Sequence, residues 1–415
     1  MTTETDRPTR QGRSLLANSA LLSTTAVAVS AANYLLNVAL ARMLPPDEFG
    51  DVSLVVNMVL AGSLVAATLQ LVASRATAAT PAARDRIRVL LVRAALAVGA
   101  VTFLCLAGGA RLLADWLSAS TPWLFVVLGL GLPVYFVQAV HRGILQGELR
   151  FSRLALSYGT EALIRVGVTL ALIAAGFGVL GASIGVAASF IASGLVARVK
   201  PTGTGASHVG IDLGLRSAVL GATVLLVGQT VVNTADLLIA KARFDPTTAG
   251  VYAAAALVGR ALVFVSAAVL SSVFPVLARD EIAEVERRRA LRSGLVLVAA
   301  VGLVGTVAVG VLGHLLVSVA FGPGYAGAEP LLVPYALATA LFALANLLAA
   351  AEVARRRIAA AVALAAGALV QTGVLTLWGS TPGALVWLQV GAMAATLVAV
   401  AVTRLVALRR IDASL

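Results

Sequence analysis

Apolar residues run along this chain in twelve long blocks separated by short polar segments. A helix needs about 20 mainly apolar residues to cross a hydrocarbon layer of about 30 Å. Blocks of that kind lie at 16–41, 51–74, 89–110, 120–140, 154–175, 178–197, 214–240, 249–277, 293–320, 330–351, 358–378 and 383–404. The pattern predicts an all-α integral membrane protein of about 12 transmembrane helices, because only helices satisfy their backbone within such short segments in lipid. An even number of crossings puts both termini on one face.

The polar segments indicate which face. Alternate connections carry Arg7, Arg10 and Arg13; Arg75, Arg84, Arg86, Arg88 and Arg93; Arg142, Arg150 and Arg153; and Arg198, Lys200 and Arg216. The series continues with Arg279, Arg287, Arg288, Arg289 and Arg292; Arg355, Arg356 and Arg357; and Arg404, Arg409 and Arg410. The opposite connections hold only Arg42, Arg111, Lys241 and Arg243. The positive-inside rule then predicts a multi-pass protein of the cell membrane with both termini cytoplasmic. Three arginines ahead of Leu15 resemble a signal-peptide start, but no small-residue cleavage site interrupts the first block, which is read as a retained helix.

Composition narrows the function classes. Hydrophobic residues make up 60% of the chain and charged residues 12%, with a mean hydropathy of +0.97, which excludes a water-soluble domain of this size. The net charge of +12 is spread over seven membrane-flanking segments, so topology and contact with anionic membrane lipids explain it, and no nucleic acid partner is expected. Cys105 is the sole cysteine, which leaves no internal disulfide or thiolate metal site. With no P-loop, no His/Cys cluster and no nucleophile–base grouping among three histidines, neither an enzyme nor a cofactor or metal is expected. The outer connections carry few carboxylates, namely Asp47, Glu48, Asp115, Asp245 and Glu329, too few and on loops too short for a membrane glycosyltransferase.

The chain also reads as two similar parts. The segment Pro201-Thr202-Gly203-Thr204-Gly205 is the natural linker, giving an N-terminal six-helix half at 1–200 and a C-terminal six-helix half at 201–415. A shift of 200 residues places Asn33 on Asn233, Pro46 on Pro246 and Gly50 on Gly250. Two parallel halves of this kind are expected to surround a central cavity that holds substrate near the midplane.

Polar residues inside the blocks are the candidate cavity lining. Ser19, Ser23, Ser30, Asn33 and Asn37 share one face of the first block, and Gln229, Asn233 and Asp236 repeat the device in the seventh. Either these stripes line the cavity or they make interhelical hydrogen bonds. Arg165 and Arg260 lie about 11 to 12 residues into their blocks, roughly 16 to 18 Å deep and near the midplane. A midplane arginine costs about 2.5 to 3.5 kcal/mol on insertion scales, so both are expected to face the bundle interior. Glu161 stands one turn before Arg165 in the favourable order for a pair. Arg260 has no acid within a turn of its own helix, so its counter-charge comes from another helix or a ligand, with an anionic ligand preferred. Asp236, near Lys241 and Arg243, is either a coupling or outer-gate residue or part of an interfacial salt link. His314, Asn346, Gln371 and Gln389 read as helix contacts, and Pro133 and Pro334 as kinks, with or without a role in gating.

The run from Asn33 through Ala41-Arg42-Met43-Leu44-Pro45-Pro46-Asp47-Glu48-Phe49-Gly50 resembles the L-A-R-x-L-x-P-x-x-F-G turn that opens bacterial polysaccharide exporters. The chain is similar from end to end to the oligosaccharide-lipid flippases (O-antigen and teichoic-acid type) of the multidrug/oligosaccharidyl-lipid/polysaccharide superfamily. The resemblance implies flipping of an undecaprenyl-pyrophosphate-linked oligosaccharide to the outer leaflet by alternating access. It also implies glycosyltransferases and a polysaccharide polymerase as partners. A cavity holding Arg165 and Arg260 against Glu161 suits a pyrophosphate. Peptidoglycan-precursor flippases of the superfamily resemble a fourteen-span plan, which this chain lacks. Two other readings stay open: a multidrug or cation antiporter of the same fold, and a non-transporting scaffold for envelope synthesis.

Overall fold

The computed structural model describes residues 7–201, 216–278 and 283–412. The helices are α1 (Arg7–Met43), α2 (Pro46–Ala79), α3 (Arg84–Gly108), α4 (Ala110–Trp116), α5 (Trp123–Gly147), α6 (Phe151–Ala174) and α7 (Gly178–Ala197). They continue as α8 (Arg216–Arg243), α9 (Pro246–Ala278), α10 (Glu284–Ala320), α11 (Glu329–Ala354), α12 (Ala359–Trp378) and α13 (Pro382–Asp412). Among the described residues, 11 helical segments are long and apolar enough to cross a membrane. The helix α9 coincides with the remaining expected block. The short α4 was not expected, and α10 begins at Glu284, well before its apolar block, because hydropathy marks the lipid-facing length and not the turns that continue into the polar interface.

Local chemistry explains where the helices begin and end. Pro46 and Pro246 open α2 and α9, a position where the missing N–H costs nothing. Asp47 and Glu48 in the first turn of α2 face its positive dipole end. Asp245 caps α9 by accepting the Thr248 N–H at 3.0 Å, and hydrogen bonds from Thr248 hold its carboxyl below the ordinary range. The ends of α5 and α11 are alike. Leu149 and Arg356 take left-handed φ values of 57° and 59°, while the amides of Arg150 and Arg357 bond the carbonyls of Leu145 at 2.8 Å and Glu352 at 2.9 Å. This closing turn satisfies carbonyls that would otherwise be orphaned. Pro133 and Pro334 lie inside α5 and α11, and both helices continue through them.

Two compact units result. The first comprises Met1–Asn37, Val65–Ala114 and Thr121–Leu213; the second comprises Val38–Leu64, Asp115–Ser120 and Gly214–Leu415. In the first, α3 packs on α5, α5 on α7 and α6 on α7. In the second, α10 packs on α11, α11 on α13 and α12 on α13. The core of the first unit gathers Leu132, Phe136, Val140 and Ile144 of α5, and that of the second gathers Phe342, Leu347 and Leu348 of α11 with Leu364 and Met393. Close approach depends on small residues: Gly143 lies so near α2 that a β-carbon there would collide with the Gln70 carbonyl and Ala73.

The second unit also holds a fully enclosed ion pair. Lys241 Nζ lies 2.7 Å from Asp51 Oδ1, with the two side chains 0% and 2% exposed. Residues 118–120 complete the shell, the Ser118 carbonyl accepting from Lys241 at 3.2 Å and the Ser120 amide donating to Asp51 at 2.8 Å. Ser118 reaches this position with a left-handed φ of 48°. Beside it the starts of α2 and α9 meet, Gly50 against Gly250. Lys241→Met strands a buried carboxylate and is expected to destabilise the protein by about 3 to 5 kcal/mol, seen as a lower aggregation temperature of purified protein in detergent. Adding Asp51→Leu should restore most of the loss. In the same assay Gly143→Val should cost about 1 to 3 kcal/mol by overpacking, whereas Gly159→Ala, which faces open space, should cost nothing and gain up to about 1 kcal/mol from helix propensity.

Candidate functional site

Two buried polar clusters stand out, one in each unit. In the first unit, side chains of four helices, α1, α5, α6 and α7, gather around Glu161 of α6. Arg165, one turn along α6, places Nη2 at 2.6 Å from Glu161 Oε1, and Arg142 of α5 places Nη1 at 2.8 Å from Oε2. Gln138, one turn before Arg142, donates to the same carboxylate at 3.0 Å and to Ser193 of α7 at 2.5 Å. Arg142 is fixed by Ser157 Oγ at 2.9 Å and by the Tyr158 ring, 4.0 Å from its guanidinium carbon. Arg165 reaches Asn33 Oδ1 of α1 at 3.3 Å and lies over Phe190 at 5.5 Å, which in turn stacks on Tyr135 at 4.3 Å.

This arrangement corrects one expectation. Arg142, assigned from sequence to a polar connection, is 5% exposed inside α5. Two guanidiniums therefore share one carboxylate, and the cluster carries a net charge of +1. Side-chain donors remain over: Arg142 Nη2 and Arg165 Nε are buried without a hydrogen-bond partner. A low-dielectric site with surplus charge and unused N–H groups is suited to an anion with several acceptor oxygens.

The second unit has a closed network. Asp236 of α8 is fully enclosed and accepts Arg260 Nη2 of α9 at 2.7 Å, Tyr335 Oη of α11 at 2.5 Å and Tyr252 Oη of α9 at 3.2 Å. Arg260 also donates to Tyr335 at 3.0 Å and to Asn57 of α2 at 3.5 Å. The counter-charge of Arg260 is thus Asp236, and no anionic ligand is needed to explain it. The interfacial link of Asp236 with Lys241 and Arg243 is likewise replaced, because Lys241 pairs with Asp51 and Arg243 donates to the carbonyls of Gly379 and Thr376. Arg260, Asn233, Thr339 and Gln389 line a small pocket of about 10 Å³, room for about one water.

The other sequence candidates divide between these clusters and plain packing. Asn33 joins the first cluster, while Asn37 bonds the Asn33 carbonyl one turn back at 2.8 Å. Asn233 does the same to Gln229 at 2.7 Å, and Gln229 binds Asn346 across to α11 at 2.5 Å. The side chains of Ser19 and Ser23 lie outside the described residues, and Ser30 is a half-buried residue of α1 that belongs to neither cluster. Gln138, Tyr252 and Tyr335 were missed. The signal for Gln138 was available, since it sits four residues before Arg142 on one face of α5.

The comparisons with known proteins agree with this architecture. A family model described as polysaccharide biosynthesis protein matches residues 15–280. The chain is 28% identical over 276 residues to the uncharacterized protein Rv1510 of Mycobacterium tuberculosis strain H37Rv, and equally to its counterpart in strain CDC 1551, covering 63% of this chain. It spans 62% of the length of these curated relatives. Among solved structures, an inward-facing multidrug resistance MATE family transporter of the MOP superfamily aligns with a TM-score of 0.73 at 17% identity, covering 93% of this chain and 95% of that one. The lipid II flippase MurJ in an inward closed conformation aligns with a TM-score of 0.72 at 10% identity, covering 92% and 87%. Both likenesses show the fold. The chain therefore belongs to the polysaccharide biosynthesis protein family, as a multi-pass, all-helical membrane protein with the fold of these transporters.

Proposed function

We propose that this protein flips an undecaprenyl-pyrophosphate-linked oligosaccharide from the cytoplasmic to the outer leaflet during synthesis of a cell-surface polysaccharide. The observation that carries this reading is the cluster at Glu161, where Arg142 and Arg165 share one carboxylate and leave a positive charge and free donors at the core of the first unit. Of the two arginines, Arg165 is the more exposed, at 15% against 5%, and is the one that meets the pyrophosphate. Arg142 neutralises Glu161 and so leaves the charge of Arg165 available. Asn33, Asn37, Gln229 and Asn233 supply polar lining, while Arg260 and Asp236 act as a held pair. In this scheme the head group crosses by alternating access while the lipid tail stays in the bilayer, both termini are cytoplasmic, and glycosyltransferases and a polymerase supply and consume the substrate.

A cation antiporter is the second reading, motivated by the structural likeness to multidrug transporters. It needs an available buried carboxylate. Asp51, Glu161, Asp236 and Glu352 each lie against a lysine or arginine, which argues against it.

The test is lipid analysis of a deletion strain. Lipid-linked oligosaccharide is expected to accumulate on the cytoplasmic leaflet and to clear when the wild-type chain is restored; unchanged lipids with altered drug sensitivity would favour the antiporter. Arg165→Ala, inserted normally, should flip about 10- to 100-fold more slowly, the equivalent of losing a charged hydrogen bond worth about 1.5 to 3 kcal/mol, and wild-type rates would refute its role. Arg260→Ala should instead reduce the yield of folded protein, because it leaves Asp236 buried and unpaired. Arg260→Gln combined with Asp236→Asn should recover that yield, measured by size-exclusion chromatography.

A further inference from the structure

The polar ends of the helices in the first unit carry a second group of cations that the cluster at Glu161 does not use. Packing registers bring them together. Gly99 of α3 lies against Pro133 of α5, and Gly129 of α5 against Phe103 of α3, so these two helices run antiparallel with Arg88 level with the stretch from His141 to Leu145. Gly131 of α5 lies against Ala187 of α7, and Gly194 of α7 against Gln138 of α5. That parallel register carries Arg198, at the exit of α7, to the level of His141. Arg153 of α6 fastens this exit by donating to the carbonyls of Val196 at 2.9 Å and Arg198 at 2.7 Å. His141 is 8% exposed and lies within the fields of Arg88, Arg198 and Arg153.

Among the described residues, no ion pair joins a carboxylate to Arg88, His141 or Arg198. The acids near this end, Asp85 and Glu148, both pair with Arg84, and Glu148 also faces Arg150 at 3.6 Å. Arg88 Nε is buried without a hydrogen-bond partner. The second unit shows what neutralisation looks like at the matching turn. The closing bond from Arg150 to Leu145 corresponds to that from Arg357 to Glu352, so Glu352 occupies the place of Leu145. There it receives Arg357 at 3.3 Å and Arg404 at 3.4 Å. The first unit has a leucine at that place and keeps its positive charge.

We propose that Arg88, His141 and Arg198 form a phosphate-binding site at the arginine-rich end of the first unit. Its ligand is a phosphate group at the membrane surface, carried either by an anionic phospholipid or by a polyprenyl pyrophosphate. Arg88 and Arg198 supply charge, the His141 imidazole supplies an N–H, and Arg153 is a positioning residue that holds the α7 exit. The phospholipid ligand is independent of what the protein transports, and the polyprenyl one rests on the function proposed above.

The experiment titrates purified full-length protein in detergent with phosphatidylglycerol and with farnesyl pyrophosphate, using phosphatidylcholine as the baseline and isothermal titration calorimetry as the readout. Arg88→Gln is expected to weaken binding about tenfold, and Arg86→Gln, an exposed neighbour of equal charge on the same helix, less than twofold. Loss confined to phosphatidylglycerol assigns the site to a lipid headgroup, and loss confined to farnesyl pyrophosphate assigns it to a polyprenyl carrier. Equal losses in the two variants would mean diffuse attraction and overturn the site, as would binding that neither variant changes. Arg198→Gln, at an exposed position, gives the same reading should Arg88→Gln fold poorly, and His141→Leu should weaken binding while His141→Gln retains it.

Discussion

A charge inside a helical bundle surrounded by lipid has no water to answer it, and that constraint organises the interior of this protein. Asp51 is answered by Lys241, and Asp236 by Arg260 with two tyrosine hydroxyls. Each of these pairs closes its own account, and each ties together segments far apart in the chain. Breaking either by removing one partner is costly because the other is left desolvated and alone. Glu161 differs, since it serves two arginines and cannot neutralise both. Around the surplus, the Tyr158 ring, Ser157 and Asn33 contact the guanidiniums, while Gln138 donates to the carboxylate.

The repeated scaffold and the chemistry it carries have separated. Helix boundaries match across a shift of 200 residues, with α1 ending at Met43 and α2 starting at Pro46 where α8 ends at Arg243 and α9 starts at Pro246. The order of packing inside the two units also matches. Yet on that shift Asp236 corresponds to Leu36, Lys241 to Ala41 and Arg260 to Leu60. Aligned by their closing turns, α5 and α6 place Arg142, Glu161 and Arg165 on Ala349, Ala368 and Thr372. Backbone geometry and small-residue contacts are enough to keep the repeat, so each copy was free to take different side chains at its core.

Proline and glycine differ in how far the sequence reveals their roles. Pro46 and Pro246 mark helix starts from sequence because the missing N–H fits only there without loss. The apposition of Gly50 and Gly250, and the approach of Gly143 to α2, were not readable, because a glycine in a helical run looks the same whether it faces lipid or another backbone.

Hydropathy along the chain by itself determined the helical class, the number of long helices and most of their places, since crossing a hydrocarbon layer is a one-dimensional requirement on length and polarity. It also brought out Arg165, Arg260 and Glu161, because a charge within an apolar block is conspicuous. Partner choice was decided only in the tertiary structure. Arg142 looked like part of a polar connection until α5 was seen to carry it inward, and Arg260 looked unpaired because Asp236 lies on a different helix. Lys241 seemed a neighbour for Asp236, but its ammonium reaches Asp51 instead. Ion pairing depends on distances of a few ångströms between helices, and spacing along one helix says nothing about which side chains the packing of several helices will bring within that reach.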